Sequence, residues 1–216
     1  MTRVRSFEAG GQTLVLREQD GRIDVLLGNV VLLSSAALET ELAFGRLAPA
    51  GARRVIVGGL GFGATVRGVL EVAAADARIE VVEKVAAIES LVRGELAHLT
   101  LGALDDPRVT VVRGDVADVV AAVTEPVDAI LLDVDNGPEW ASFRTNARLY
   151  ATDALSRAWS ALASGGIYAV WSGYPADAFQ GKLRKAGFTP EIVPLREKGL
   201  VRARAYVGRK TALESA

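Results

Sequence analysis

Cysteine is absent from the 216-residue chain. That excludes disulfides, thiolate zinc sites and cysteine nucleophiles. Histidine occurs once, as His98, so a histidine-rich metal centre is excluded as well, and no metal is expected. Excess charge of either sign is missing. The formal net charge is −1, and no basic block or arm appears, so no nucleic-acid partner is expected. Arg184-Lys185 and the arginines between Arg196 and Arg204 read as a solvated edge, with an RNA or anionic-acceptor surface as the alternative. No apolar run approaches the length of a bilayer span, so no membrane is expected. Met1-Thr2-Arg3-Val4-Arg5 is not followed by an apolar signal core, and a cytoplasmic protein is expected. Internal repeats are also missing.

What remains is an ordinary soluble composition, half hydrophobic and about a quarter charged, in a chain long enough for one domain with a full core. Residues 1–50 read as a small β-meander followed by a helix. Leu14–Leu16 and Ile23–Leu27 flank Asp20-Gly21, a strong hairpin signal, and Gly28-Asn29 offers a second turn before Val30–Leu33. Ala36–Leu47 is predicted helical, capped by Ser34 or Ser35.

Residues 51–210 alternate strand and helix. Predicted strands are Arg54–Val57, Ile79–Val82, Val109–Val112, Val127–Leu132 and Ile167–Trp171. Predicted helices are Ala64–Ala75, Val85–Thr100, Val116–Val123, Ala151–Ala163 and Asp177–Ala186. Thr189–Pro194 and Ala203–Val207 then read as a hairpin across a basic loop, and residues 211–216 as a tail. Short apolar strands in such alternation imply a doubly wound, mostly parallel α/β sheet. The antiparallel closing hairpin departs from a plain dinucleotide fold and points to a Rossmann-like class I methyltransferase fold with a seven-stranded sheet.

The chemistry concentrates where strands end. Val55-Ile56-Val57 runs into Gly58-Gly59-Leu60-Gly61-Phe62-Gly63, and a helix follows. Such a turn lets backbone approach a ligand at a helix start. It lacks the Lys and Ser/Thr of a phosphate-cradling loop. Glu83 ends the second strand about 20 residues past the last glycine, where a carboxylate can accept ribose hydroxyls. Gly114-Asp115 follows the third strand. Its carboxylate suits an adenine amine, the N-cap of the helix at Val116, or both. Asp133-Val134-Asp135-Asn136-Gly137-Pro138 follows the fourth strand. Two carboxylates so close favour a cationic ligand or a proton acceptor, though the sequence also suits an Asx turn. Trp140, Tyr150, Trp171 and Tyr174 are candidates either for an acceptor pocket or for the core. These features together describe a site for a nucleotide or an adenosyl compound.

The residues Asp106-Pro107-Arg108-Val109-Thr110-Val111-Val112-Arg113-Gly114-Asp115, with Val57-Gly58-Gly59, Thr65-Val66-Arg67 and Val81-Val82-Glu83, resemble the spermidine synthase family. The likeness spans roughly residues 53–171 and is weaker in the meander. It implies that Gly58, Gly59, Gly61, Gly63, Glu83, Lys84, Gly114, Asp115, Val116 and Asp133 hold S-adenosylmethionine or its decarboxylated form as co-substrate. It also implies that Asp133 or Asp135 orients or deprotonates an amine, with Glu41, Trp140 and Tyr150 around a small-molecule acceptor. The family commonly dimerises, and exposed meander edges fit a homodimer. The sequence departs from the family in its shorter Asp loop, in Glu39-Thr40-Glu41-Leu42-Ala43 in place of a Tyr-His-Glu segment, and in Leu32-Leu33 where a glutamine is expected. Nucleoside recognition is therefore better retained than polyamine recognition. The implied activity is transfer of an aminopropyl or methyl group. A small-molecule methyltransferase, a non-catalytic nucleoside-binding protein and a nicotinamide-dependent oxidoreductase are the alternatives.

Overall fold

A computed structural model of the chain describes residues 2–9, 12–100, 102–134, 137–138 and 144–211. Asp135, Trp140 and residues 212–216 of the tail lie outside them.

The first sheet is a four-stranded antiparallel meander of β1 (Thr2–Ala9), β2 (Gln12–Gln19), β3 (Arg22–Leu27) and β4 (Val30–Ser34). Asp20 and Gly21 both have positive φ, 52° and 76°, as a two-residue hairpin turn with the twist of its strands requires. One face buries Leu14, Leu16 and Val25. β1 was not foreseen. All but one of residues 2–7 are exposed, so no buried face marks the strand in sequence; backbone pairing with β2 defines it.

Ser34 accepts the Ala36 N–H and caps a 3-10 turn, Ser35–Ala37, which leads into α1 (Leu38–Gly45). Glycines let α1 lie against α2 (Ala64–Val72) backbone to backbone. A Cβ on Gly45 would sit 2.0 Å from the Thr65 carbonyl oxygen, and one on Gly68 would sit 2.2 Å from that of Leu42.

The second sheet has seven strands. β5 (Arg54–Gly58), β6 (Arg78–Glu83), β7 (Val109–Arg113), β8 (Val127–Leu132) and β9 (Leu162–Ser172) run parallel. β10 (Thr189–Glu197) and β11 (Leu200–Arg209) close it as an antiparallel hairpin, giving the order β10-β11-β9-β8-β5-β6-β7. The central strands are buried on both sides, and side-chain alternation sends Val55, Val57, Ala129 and Leu131 into one cluster and Ile56, Ile130 and Leu132 into the other. The expected doubly wound sheet with a closing hairpin is thus present.

Several boundaries moved. The helix predicted over Val85–Thr100 is two, α3 (Ala86–Arg93) and α4 (Ala97–Thr100), because Gly94 leaves helical geometry at φ −99°, ψ −107°. β9 begins at Leu162, inside the helix predicted to end at Ala163; α6 (Thr152–Ala161) stops there. The basic loop expected between Pro194 and Ala203 is mostly strand. Only Lys198-Gly199 turns, with φ of 49° and 78°, while Arg196, Arg202 and Arg204 lie on β10 and β11. α5 (Val116–Ala121) and α7 (Phe179–Lys185) are shorter than foreseen. Among the described residues, no helix is long and apolar enough to cross a membrane.

Candidate functional site

The chain leaves β5 for β6 and β7 on one side and returns through β8 on the other, so β5 and β8 flank a topological switch point. Ligands of open α/β sheets bind outside the carboxyl ends of strands at such a point. A cleft of about 300 Å³ lies there, lined by residues that follow β5, β6, β7 and β8. That volume is within the range of small-molecule sites.

The loops are fastened to one another. The Gly59 N–H donates to the Val82 carbonyl at 2.9 Å, Asp133 N–H to Gly58 at 2.7 Å, and Gly114 N–H to Glu83 at 3.1 Å. Gly59 has φ +87°, and a Cβ there would lie 2.0 Å from the Asp133 carbonyl oxygen. Only glycine permits this contact between the first and fourth strand loops.

Of the residues assigned to the ligand, Gly59, Gly61, Glu83 and Lys84 line the cleft, as do Gly114, Asp115, Val116 and Asp133. Gly58 and Gly63 are placed otherwise. Gly58 is packed between Leu132 and Val116, and a Cβ there would come within 2.8 Å and 2.9 Å of them. Gly63 caps α2 with φ +84° and faces Thr100, so its role is the strand-to-helix turn. Tyr150 also stands apart from the cleft walls. It is 2% exposed and packs edge-on against Phe179, in a core cluster that also contains Val82, Val116 and Leu149 of the cleft wall. Of the two readings the sequence left open for it, acceptor pocket or core, this packing fits the core.

Glu83 ties two loops, accepting the Leu60 N–H at 3.1 Å on one oxygen and the Val85 N–H at 2.7 Å on the other. A carboxylate offers about four lone-pair sites, so acceptor capacity remains for hydroxyl groups. Asp115 caps α5 through the Ala117 N–H at 2.9 Å. Its second oxygen pairs with Lys84 Nζ at 2.5 Å and with the Arg148 guanidinium. Burial pushes this carboxyl up, and Lys84, the Ala117 N–H and Arg148 more than offset it, leaving it below the ordinary carboxylate value.

Asp133, on the cleft wall, has acidic neighbours, Glu41 and Glu197, that stand behind that wall rather than on it. Asp133 Oδ2 accepts the Thr65 hydroxyl at 2.6 Å. Glu41 of α1 approaches Gly61 of the glycine loop, its Oε2 being 4.0 Å from where a Cβ would stand. Burial, then Asp133, then Glu197 push the Glu41 carboxyl well above its ordinary 4.5. Glu197 is positioned by a reciprocal pair of bonds: Glu39 N–H donates to Glu197 Oε2 at 3.1 Å, and Lys198 N–H donates to Glu39 Oε2 at 2.7 Å. Trp171 donates its indole N–H to Thr40 at 3.2 Å, fixing α1 against β9. Among the described residues, no group of three or more acidic or histidine side chains is arranged to hold a metal ion.

Many solved structures match the chain, among them three that cover nearly all of it. They are the spermidine synthase of Thermotoga maritima (18% identity, TM-score 0.74, covering 98% of this chain and 74% of that one), a spermidine synthase in complex with the transition-state analogue AdoDATO (17%, 0.76, 98% and 75%), and a probable spermidine synthase from Corynebacterium glutamicum ATCC 13032 (19%, 0.65, 99% and 82%). The chain has the spermidine synthase fold. No family model matches the sequence, and neither does any curated protein. At such identities the likeness is one of architecture, and residue roles rest on the cleft itself. On this fold the meander contributes Leu27, Leu32 and Leu33 as an apolar wall of the cleft.

Sequence reading missed Thr65 and Arg148 as site residues. Thr65 meets Asp133 across 68 positions and Arg148 meets Asp115 across 33, so no local spacing marked either contact.

Proposed function

We propose that the cleft binds the adenosyl group of S-adenosylmethionine or of its decarboxylated form, and that the protein transfers an aminopropyl or methyl group from that sulfonium to a small amine. The observation that supports this most is the convergence of Glu83, Asp115 and Asp133, from the ends of three strands, on one cleft. In this reading residues 51–210 hold the nucleoside and residues 1–50 close it.

Glu83 accepts the ribose hydroxyls and Asp115 the exocyclic amine of adenine. The glycine loop passes beneath the sulfonium arm. Asp133 and Glu41 draw cationic groups to the far end. Transfer proceeds when the amine lone pair attacks the carbon bonded to sulfur. The C–S bond breaks, its electron pair returns to sulfur, and a neutral thioether leaves. The surplus proton on nitrogen passes to a nearby carboxylate. Thr65 orients Asp133 for this role, and the raised affinity of Glu41 for a proton suits it to the same task. The protein's contribution is alignment of nucleophile and leaving group.

The test is product analysis by mass spectrometry with each sulfonium donor and a panel of amines. Methylthioadenosine as product identifies aminopropyl transfer, and adenosylhomocysteine identifies methylation. Stabilisation by methylthioadenosine without turnover identifies a binding protein. At 100-fold excess over Kd, linkage gives about 2.7 kcal/mol, a rise in Tm of roughly 5–10 °C for a chain of this size. No stabilisation by any adenosyl ligand, with preferential binding of NADH, would overturn the reading.

A further inference from the structure

We propose that Arg148 is a built-in competitor for the base end of the cleft, and that a purine must displace it from Asp115 to bind. This rests on the adenosyl reading above and concerns how that site is regulated. Asp115 is the side chain placed to read the base, yet Oδ2, the oxygen not tied to the α5 cap, already takes two donors, Lys84 at 2.5 Å and Arg148, while Oδ1 takes the Ala117 N–H at 2.9 Å. The three donors are not equally free to leave. Ala117 N–H is the capped first turn of α5. Lys84 directly follows Glu83 at the end of β6, on the cleft wall itself. Arg148 reaches in from the 3-10 segment Arg144–Tyr150, and its side chain is 54% exposed while that of Asp115 is 10% exposed.

The segment that carries Arg148 is firmly seated. Leu149 and Tyr150, the next two residues, are 5% and 2% exposed. Asn146, two residues before, and Leu149 line the cleft. The guanidinium can therefore swing to solvent on its own stem while the wall stays in place. A half-exposed ion pair of this kind is screened by salt, whereas a neutral nucleoside's hydrogen bonds are not. The device makes an unusual signature: an uncharged ligand whose affinity rises with ionic strength.

The experiment is calorimetric titration of the 216-residue chain with methylthioadenosine at low and high sodium chloride, for wild type, Arg148→Gln and Arg148→Met. Arg148 lies on the surface, so both variants are expected to fold, and thermal melts of the unliganded proteins check it. The expected result is binding several-fold to tenfold tighter in both variants at low salt. Wild-type affinity should climb toward theirs as salt rises, while theirs stays level. Equal or weaker binding by the variants, with wild type binding measurably, would overturn the competitor role and leave the adenosyl reading standing. Binding by the variants alone would support both. No binding by any of the proteins at either salt would overturn both.

Discussion

Replacing Gly59 by alanine tests the contact on which the site is built. Two effects act. Gly59 has φ +87°, a conformation that is unfavourable for an L-residue by about 1–2 kcal/mol. The new Cβ would also stand 2.0 Å from the Asp133 carbonyl oxygen and 2.8 Å from its carbon. Both are backbone atoms, so relief requires the β5 and β8 loops to part, and such overpacking typically adds about 1–3 kcal/mol. The total is about 2–5 kcal/mol, a large part of the roughly 5–15 kcal/mol that holds a domain together. Gly61 is the control. It too has positive φ, at 53°, but a Cβ there meets nothing nearer than 4.0 Å. Gly61→Ala should therefore lose only the conformational part. The difference between the variants is about 1–3 kcal/mol, or about 2–12 °C in Tm at this chain length. Thermal unfolding followed by tryptophan fluorescence reads it. Gly61→Ala should still weaken methylthioadenosine binding, since it narrows the cleft. Equal destabilisation by the two substitutions would refute the claim that the loops touch at Gly59.

Glu41→Gln should raise stability at pH 8 and lose that advantage as pH falls toward 4.5, because between its unfolded and its raised folded pKa the carboxyl ionises in the unfolded chain while it keeps its proton in the fold, which favours unfolding. Urea midpoints at the two pH values check this, and amine-dependent turnover should fall in the same variant. Asp24→Asn should do the reverse. Asp24 is 3% exposed; burial pushes its carboxyl up, but bonds from Arg17, Ser34 and Arg22 hold it below 3.8. Its stabilisation is present above that value and is lost as pH falls through the folded pKa. The variant should therefore be less stable by about 1–3 kcal/mol at pH 7, and the gap should narrow as pH falls below 3.8, as urea titrations at pH 7 and at successively lower pH would show.

The sequence disclosed what is encoded by local pattern. Val127–Leu132 reads as a doubly buried strand because every position but Asp128 is apolar, and Gly59 with Glu83 marks a strand–turn–helix–strand unit by spacing alone. Asp20-Gly21 announced a hairpin for the same local reason. What stayed hidden depends on partners far along the chain. β1 exists because β2 pairs with it, and its own side chains are mostly solvated. Arg196, Arg202 and Arg204 looked like loop residues because arginine is soluble, yet an edge hairpin tolerates it on a strand's open side. Tyr150 could be read as pocket or core from sequence, because its packing partner Phe179 lies on a later helix. Thr65 and Arg148 joined the site through contacts that only the completed sheet creates.

The order β10-β11-β9 has a consequence for biosynthesis. β10 leaves the ribosome before β11, yet its only neighbour in the sheet is β11, which must insert between it and β9. Until about residue 209 has emerged, β10 is an unpaired strand and Glu197 has not reached Glu39. The loops of β5 to β8 that line the cleft, Asp133 included, can be assembled by then, but the Glu39–Glu197 contact cannot. During translation the protein should complete the walls of its cleft before the acidic surroundings of Glu41.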